Sequence, residues 1–303
     1  MDKLLVTGVE GLVGSNVAAV LAEHCEVVGV SHASADAPYR VIACDPNDPL
    51  ELAAIAEAES PRWLIHCGPL SRCSWDAAEM PSPDAEHESH VAASLAAAAR
   101  RSGTRLAVVL SDAVFAGPRL FHTEASTPTA SGRFAAAARA VEQAVTDTDA
   151  LMVRTHAYGW SPRGAQPNYA ERCWRLLAQG EACEVDAERH ATPILATDLA
   201  VLLYRALRGR LHGLIHIAGA ERTSPFRFAA ELALACNFAG RLVRLKDEAP
   251  RRPHADETSL NTHRVRRELE TPLPLLREGL ARFAEQADGF RQQLDARPSA
   301  LAA

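Results

Sequence analysis

Three glycines at three-residue spacing, Gly8, Gly11 and Gly14, constrain this chain more than any other feature. An apolar run, Leu4–Val6, leads into them, and an alanine-rich helical pattern over 12–23 leads out. The run predicts a buried parallel strand, because a strand covered on both faces is apolar throughout. A strand that turns into a helix over such glycines suits a nucleotide pyrophosphate. Gly8 permits the tight turn, Gly11 lets the backbone approach the phosphates, and Gly14 lets the helix pack close to the strand. The helix start at Leu12 and Val13 then offers unbonded N–H groups and a positive dipole end to the anion. An ordinary strand–helix turn would use the same residue types. The place of this one, between the first strand and the first helix, favours a dinucleotide.

The first half repeats the alternation. Apolar runs at Val27–Val30, Trp63–His66, Leu106–Leu110 and Leu151–Arg154 alternate with helical patterns at 49–58, 85–102 and 132–147. This pattern predicts an α/β fold, a doubly wound parallel (Rossmann) sheet with helices on both faces. After about residue 160 the texture changes. Helical patterns at 168–178, 197–208, 225–237 and 274–288 surround short apolar pieces, Thr192–Ile194 and Gly213–Ile217. The expected organisation is a dinucleotide-binding domain over 1–160 and a smaller α/β substrate-binding portion over 161–303. Segments of that portion are expected to cross back to the sheet, and its end to fray.

Composition narrows the partners. With 48% apolar residues in 303, the chain can bury a substantial core. Net charge is −6 and no basic run exceeds a triplet, which argues against nucleic acid and anionic membrane. No secretory leader pattern precedes the first strand and no apolar stretch reaches transmembrane length, so a cytoplasmic protein with a small-molecule ligand is expected. The seven cysteines are scattered with no Cys-x-x-Cys, which fits reduced thiols. His87 and His90 share a helix face, but no third ligand lies nearby in sequence, so no metal is expected.

In a dinucleotide fold the tip of the second strand selects the cofactor. Here the tip reads Ser31-His32, without an acid to hold a ribose hydroxyl, and Arg40 is the nearest cation. Those residues lean to NADP(H) over NAD(H). Asp45 could accept from an adenine amino group, or simply shape a turn before Pro46. Cys67 and Gly68 end the next strand at the carboxyl edge, where ligands bind in open sheets.

The segment Leu110–Gly117 (Leu-Ser-Asp-Ala-Val-Phe-Ala-Gly) resembles the Ser-Thr-Asp-Tyr-Val-Phe-x-Gly segment of dTDP-4-dehydrorhamnose reductases. Those are extended short-chain dehydrogenases that reduce a 4-keto sugar nucleotide. Arg154-Thr155, Ala191–Pro193, Gly213–Ile217, Arg251–Pro253 and Ser259–Asn261 resemble the same family in the same order. The resemblance implies nicotinamide and sugar-nucleotide sites. It gives Ser111 the carbonyl-polarising role and sets Asp112, Arg252 and Ser259 at the sugar nucleotide.

The chain departs from that family where its chemistry would lie. The family's Tyr-x-x-x-Lys pair donates a proton and holds the nicotinamide ribose. Counting back from the helical pattern around Glu142 puts Phe134 and Ala138 at those positions. The chain has two lysines, Lys3 and Lys246, and none of its four tyrosines has lysine four residues later. A family Asn near the start of the preceding helix is matched by Glu88. His156 is the candidate replacement acid, and Trp75, Trp160 and Trp174 are candidate stacking faces. Three functions follow as expectations. One is a binding protein degenerate at the reductase site. Another is an oxidoreductase, lyase or isomerase with replacement groups. The third is a regulatory or scaffold subunit of another enzyme, as in the regulatory beta subunit of methionine adenosyltransferase, which resembles the same family; a homo-oligomer or a partner enzyme is the expected assembly.

Overall fold

The computed structural model describes residues 1–32, 36–45, 48–244 and 257–295. The first half contains β1 (Lys3–Thr7), α1 (Leu12–Ala22), β2 (Glu26–Ser31), β3 (Arg40–Ala43), α2 (Pro49–Glu59), β4 (Trp63–His66), α3 (Ser74–Ala77), α4 (Ala85–Ser102), β5 (Arg105–Ser111), α5 (Arg133–Val145) and β6 (Leu151–Thr155). The second half adds β7 (Ala157–Tyr158), α6 (Tyr169–Ala178), β8 (Ala182–Val185), β9 (Ile194–Leu195), α7 (Ala196–Arg208), β10 (Gly213–His216), α8 (Pro225–Ala235), β11 (Arg241–Arg244), α9 (His263–Leu269), α10 (Leu276–Glu285) and α11 (Phe290–Gln293).

Seven strands form one parallel sheet in the order β10-β6-β5-β4-β1-β2-β3. Their side chains alternate between two apolar layers, as the two-residue period of a strand requires. Leu4, Val6, Ile65, Val109 and Val153 enter one layer, where α1 and α7 pack against each other. Leu5, Leu64, Val108, Leu110 and Met152 enter the other, covered by α2, α4 and α5. This is the doubly wound fold.

Local chemistry sets the helix ends. Asp84 accepts from the His87 N–H at the start of α4, and Gly103, at φ +67, ends it after Arg100 and Arg101. Asn168 and Glu171 form a reciprocal capping box at α6.

The C-terminal half shares its core with the sheet. β10 pairs with β6 as an edge strand, and Cys173, Phe228 and Phe283 from α6, α8 and α10 belong to the same apolar layer as α1. Two short parallel pairs, β8 with β11 and β7 with β9, lie outside the main sheet.

Candidate functional site

Gly8 follows β1 with φ +74, a left-handed conformation suited to glycine. A Cβ on Gly8 would lie 2.0 Å from the Cys67 carbonyl oxygen, and one on Gly14 would lie 2.2 Å from the Gly8 carbonyl oxygen. Close packing of β1, α1 and the segment after β4 therefore demands both. Gly11 is different. A Cβ there meets only the Gly8 carbonyl, at 3.5 Å, and otherwise open space. Gly11 is the N-cap of α1; no side chain caps that helix and no acid lies in its first turn. Its leading N–H groups have no side-chain cap.

Two clefts meet at this turn, where the strand order reverses between β1 and β4. One, of about 240 Å³, lies between Gly8–Val13, the Cys67–Cys73 segment and residues of the Ser161–Asn168 segment. The other, of about 210 Å³, reaches Ser31, His32 and Cys44 on one side and His66, His87 and Glu88 on the other. Gly8, Glu10, Gly68 and Pro69 line both. The walls are braced. The Asn16 side-chain amide donates to the Trp160 carbonyl at 2.8 Å, and the Tyr169 N–H donates to Asp76 at 2.7 Å.

The electrostatics of the clefts are mixed. Arg72 lines the larger one, and its Nη1 is buried without a hydrogen-bond partner. Burial lowers its hold on the proton, while Asp76 and Glu88 oppose that effect. Burial raises the Glu88 carboxyl and drives His66 down to about 4, so His66 is neutral near pH 7. His66 Nδ1 meets Thr7 Oγ1 at 2.7 Å. Burial also pushes the Cys67 thiol up, which removes it as a thiolate nucleophile. Sequence reasoning missed Arg72 and Glu10. The available signal was position, since each sits in a segment directly following β1 or β4.

The degenerate Tyr/Lys positions and the candidate catalytic and substrate residues Ser111, Asp112 and His156 lie elsewhere. Phe134 and Ala138 belong to the apolar layer under α5, with Ala138 fully buried. Ser111, Asp112 and His156 are all completely buried, and none of these five lines either cleft. Asp112 Oδ2 accepts from His156 Nδ1 at 2.7 Å, from Ser74 Oγ at 2.8 Å and from Thr258 Oγ1 at 2.5 Å. Asp112 Oδ1 accepts from the Ser74 N–H at 2.8 Å and from Ser111 Oγ at 3.3 Å. Burial raises the Asp112 carboxyl, but the His156 charge and these hydrogen bonds outweigh it and hold the group below its ordinary value. Ser74 also approaches His156 Nδ1, at 3.3 Å. Both polar neighbours therefore meet one nitrogen, while His156 Nε2 is buried with no partner and Trp75 packs edge-on at 4.4 Å. A Ser–His–Asp relay needs the hydroxyl on the opposite nitrogen, so the cluster is not assembled as one.

The remaining candidates are spread out. Arg40 opens β3 and ion-pairs with Glu59, whereas Ser31 pairs with Ala43 at the other end of that strand. The cation that inclined the reading toward NADP(H) thus stands away from the β2 tip. Asp45 follows β3, and its N–H donates to Glu51 at 3.1 Å. Ser259 is fully buried and accepts the Phe121 N–H at 2.8 Å. Arg252 lies outside the described residues. Trp160 stacks on Phe283 at 4.3 Å and Trp174 packs edge-on to Phe238, both as packing. Among the described residues no group of three or more His, Cys, Asp or Glu could hold a metal, and no helix is long and apolar enough to cross a membrane.

Known proteins give this arrangement a context. Solved structures share the fold at low identity. A dTDP-4-dehydrorhamnose reductase from Bacillus anthracis in complex with NADP is 20% identical, with a TM-score of 0.76 over 95% of this chain and 100% of that one. The Bordetella bronchiseptica enzyme WbmH in complex with NAD+ is 17% identical, with a TM-score of 0.73 over 96% and 100%. A UDP-glucose 4-epimerase from Thermotoga maritima with UDP-glucose is 16% identical, with a TM-score of 0.79 over 96% and 99%. No curated protein sequence matches. The model of the RmlD substrate binding domain matches residues 2–288, and the chain belongs to that family.

Proposed function

We propose that this protein binds a nicotinamide dinucleotide together with a sugar nucleotide or related ligand, and does not carry out tyrosine-driven reduction. The observation that carries the proposal is a ligand-ready glycine turn in a chain whose Phe134 and Ala138 are sealed in the apolar core. The cradle fits the dinucleotide. Gly11 opens onto free space, α1 has no side-chain cap, and Arg72 brings an orphaned guanidinium nitrogen. Gly11, Leu12 and Val13 would hold the pyrophosphate, Ser31 and His32 the adenosine ribose, and Cys67 with Gly68 the facing wall. The bound nicotinamide would supply redox capacity at this edge of the sheet. Phenylalanine and alanine provide neither a proton for a carbonyl nor a cation for the ribose. Glu10 places a carboxylate beside the pyrophosphate position, and Arg72 offsets it. The β2 tip carries no acid at Ser31 or His32, so NADP(H) is the first cofactor to test. The cofactors and UDP-glucose held by the solved neighbours agree with this ligand class.

The test is titration of the purified protein with NADPH and NADH by calorimetry, followed by an assay on a 4-keto sugar nucleotide. Saturable binding is expected, with no NADPH oxidation above the uncatalysed rate. Arg72→Met is expected to weaken binding roughly 10-fold or more, the scale of one lost charge-assisted hydrogen bond. Failure to bind either cofactor, or robust turnover, overturns the reading.

A further inference from the structure

A third concavity, of about 370 Å³, lies at the amino end of the sheet, opposite the glycine turn. It is formed where β4 and β5 begin and α7 ends, and Arg62, Trp63, Arg105, Arg208, Arg210 and His212 line it with Asp149. Four guanidinium groups thus share one pocket in a chain whose net charge is −6. Local chemistry accounts for two of them. Arg62 pairs with Asp2 at 2.6 Å, and Arg105 donates to the Leu207 and Leu211 carbonyls at 3.1 and 3.3 Å. Arg208 and Arg210 are exposed and make no ion pair with any described residue, and Arg208 lies over the Tyr204 ring at 5.9 Å.

The excess charge is felt within the pocket. Burial, and next the Arg210 charge, weaken the hold of Arg105 on its proton, with Asp149 opposing them. Arg208 also complements the carbonyl end of α7, but Arg210 lies beyond that helix and Arg62 belongs to another element. Trp63, 1% exposed, forms the apolar floor of the pocket. Clustered cations in a concave site match one kind of ligand. That ligand is compact, carries several negative charges and presents oxygens as acceptors.

We propose that this amino-edge pocket is a binding site for a diphosphate group, separate from the clefts at the glycine turn. Arg105, fixed on two carbonyls, supplies a preset donor, while Arg208 and Arg210 close on the ligand from the surface. The diphosphate is either free or carried on a nucleoside. The site does not depend on the cofactor reading above, because it shares no residue with those clefts.

The experiment is calorimetric titration of the full chain with inorganic pyrophosphate, and separately with ADP, at low ionic strength. It is repeated on Arg208→Ser/Arg210→Ser and on the milder Arg210→Ser. Both changes are on exposed side chains, and thermal midpoints confirm folding. Pyrophosphate affinity is expected to fall at least tenfold in the double variant and by a smaller factor in the single one. A loss for pyrophosphate alone assigns the free diphosphate, and a parallel loss for ADP assigns a nucleoside-linked one. The proposal is overturned if wild type does not bind pyrophosphate, or if the double variant binds it unchanged, which would move the anion to the glycine turn.

Discussion

At the scale of single residues, the most tightly held group outside the clefts is the Asp112 carboxylate. It is fully buried and receives hydrogen bonds from Ser74, Ser111, His156 and Thr258. Such a cluster is expensive to break, because removing one charge leaves its partners buried and unsatisfied. Asp112→Asn is therefore expected to destabilise the fold by about 3 kcal/mol at pH 7, measured by urea denaturation. The sign of the pH dependence follows from the depressed carboxyl. Its stabilisation is complete above the unfolded-state value near 3.9 and is lost as pH falls through the lower folded-state value. The difference between wild type and variant should accordingly narrow below about pH 4. A cost that stays constant down to pH 3 would show that the carboxylate charge is not what matters. The sequence singled out Ser111, Asp112 and His156 one by one, and the strand register is what joins them. Once β5 and β6 pair with Ser111 opposite Thr155, the next residues, Asp112 and His156, are brought side by side. Ser74 and Thr258 arrive from loops whose course no periodicity records.

At the scale of elements, the turn from β1 into α1 separates folding from binding. The three glycines look equivalent in the sequence, and the structure distinguishes them by what surrounds each Cα. Gly14→Ala would drive a methyl to 2.2 Å from the Gly8 carbonyl, so α1 must shift from β1. Its expected cost is about 2 kcal/mol or more, the scale of an overpacked core site. Gly11→Ala meets nothing closer than 3.5 Å, and its backbone, at φ −95, suits any residue. That variant should keep the thermal midpoint within a few degrees while weakening NADPH binding at least tenfold, because its methyl stands in the space a pyrophosphate would fill. Unchanged affinity in Gly11→Ala would remove the turn from the cofactor site. Elements with strong periodicity matched their expected positions closely, as with the helices at 85–102 and 197–208 against α4 and α7. The elements missed were weak in pattern. β8 and β11 are four residues each, and α9 carries charges through most of its seven residues, so their formation depends on what they pack against.

At the scale of the whole molecule, the parallel sheet was readable from the alternation of runs and helices, and its completion only as an expected return of segments from beyond residue 160. The last strand of the sheet comes from residues 213–216, and α7, at 196–208, covers α1. Val13 and Val17 on α1 and Leu199 and Leu203 on α7 lie in one apolar layer that continues into Phe228 and Phe283. A division at residue 160 would cut through that layer. A fragment of residues 1–160 would lose the β10 edge and the helix over α1, exposing the apolar faces that both now cover. The full chain is therefore expected to unfold in urea in a single transition, coincident by tryptophan fluorescence and far-ultraviolet circular dichroism. The fragment should retain helical signal without a cooperative transition, since the layer that holds α1 loses α7, α8 and α10 and keeps little other cover. Two separated transitions in the full chain, or a sharp one in the fragment, would establish 1–160 as an autonomous domain. The clefts at the glycine turn would report the same dependence. The Ser161–Asn168 wall of the larger cleft lies past the cut, so the fragment should bind NADPH far more weakly than the intact protein, even where α1 still forms.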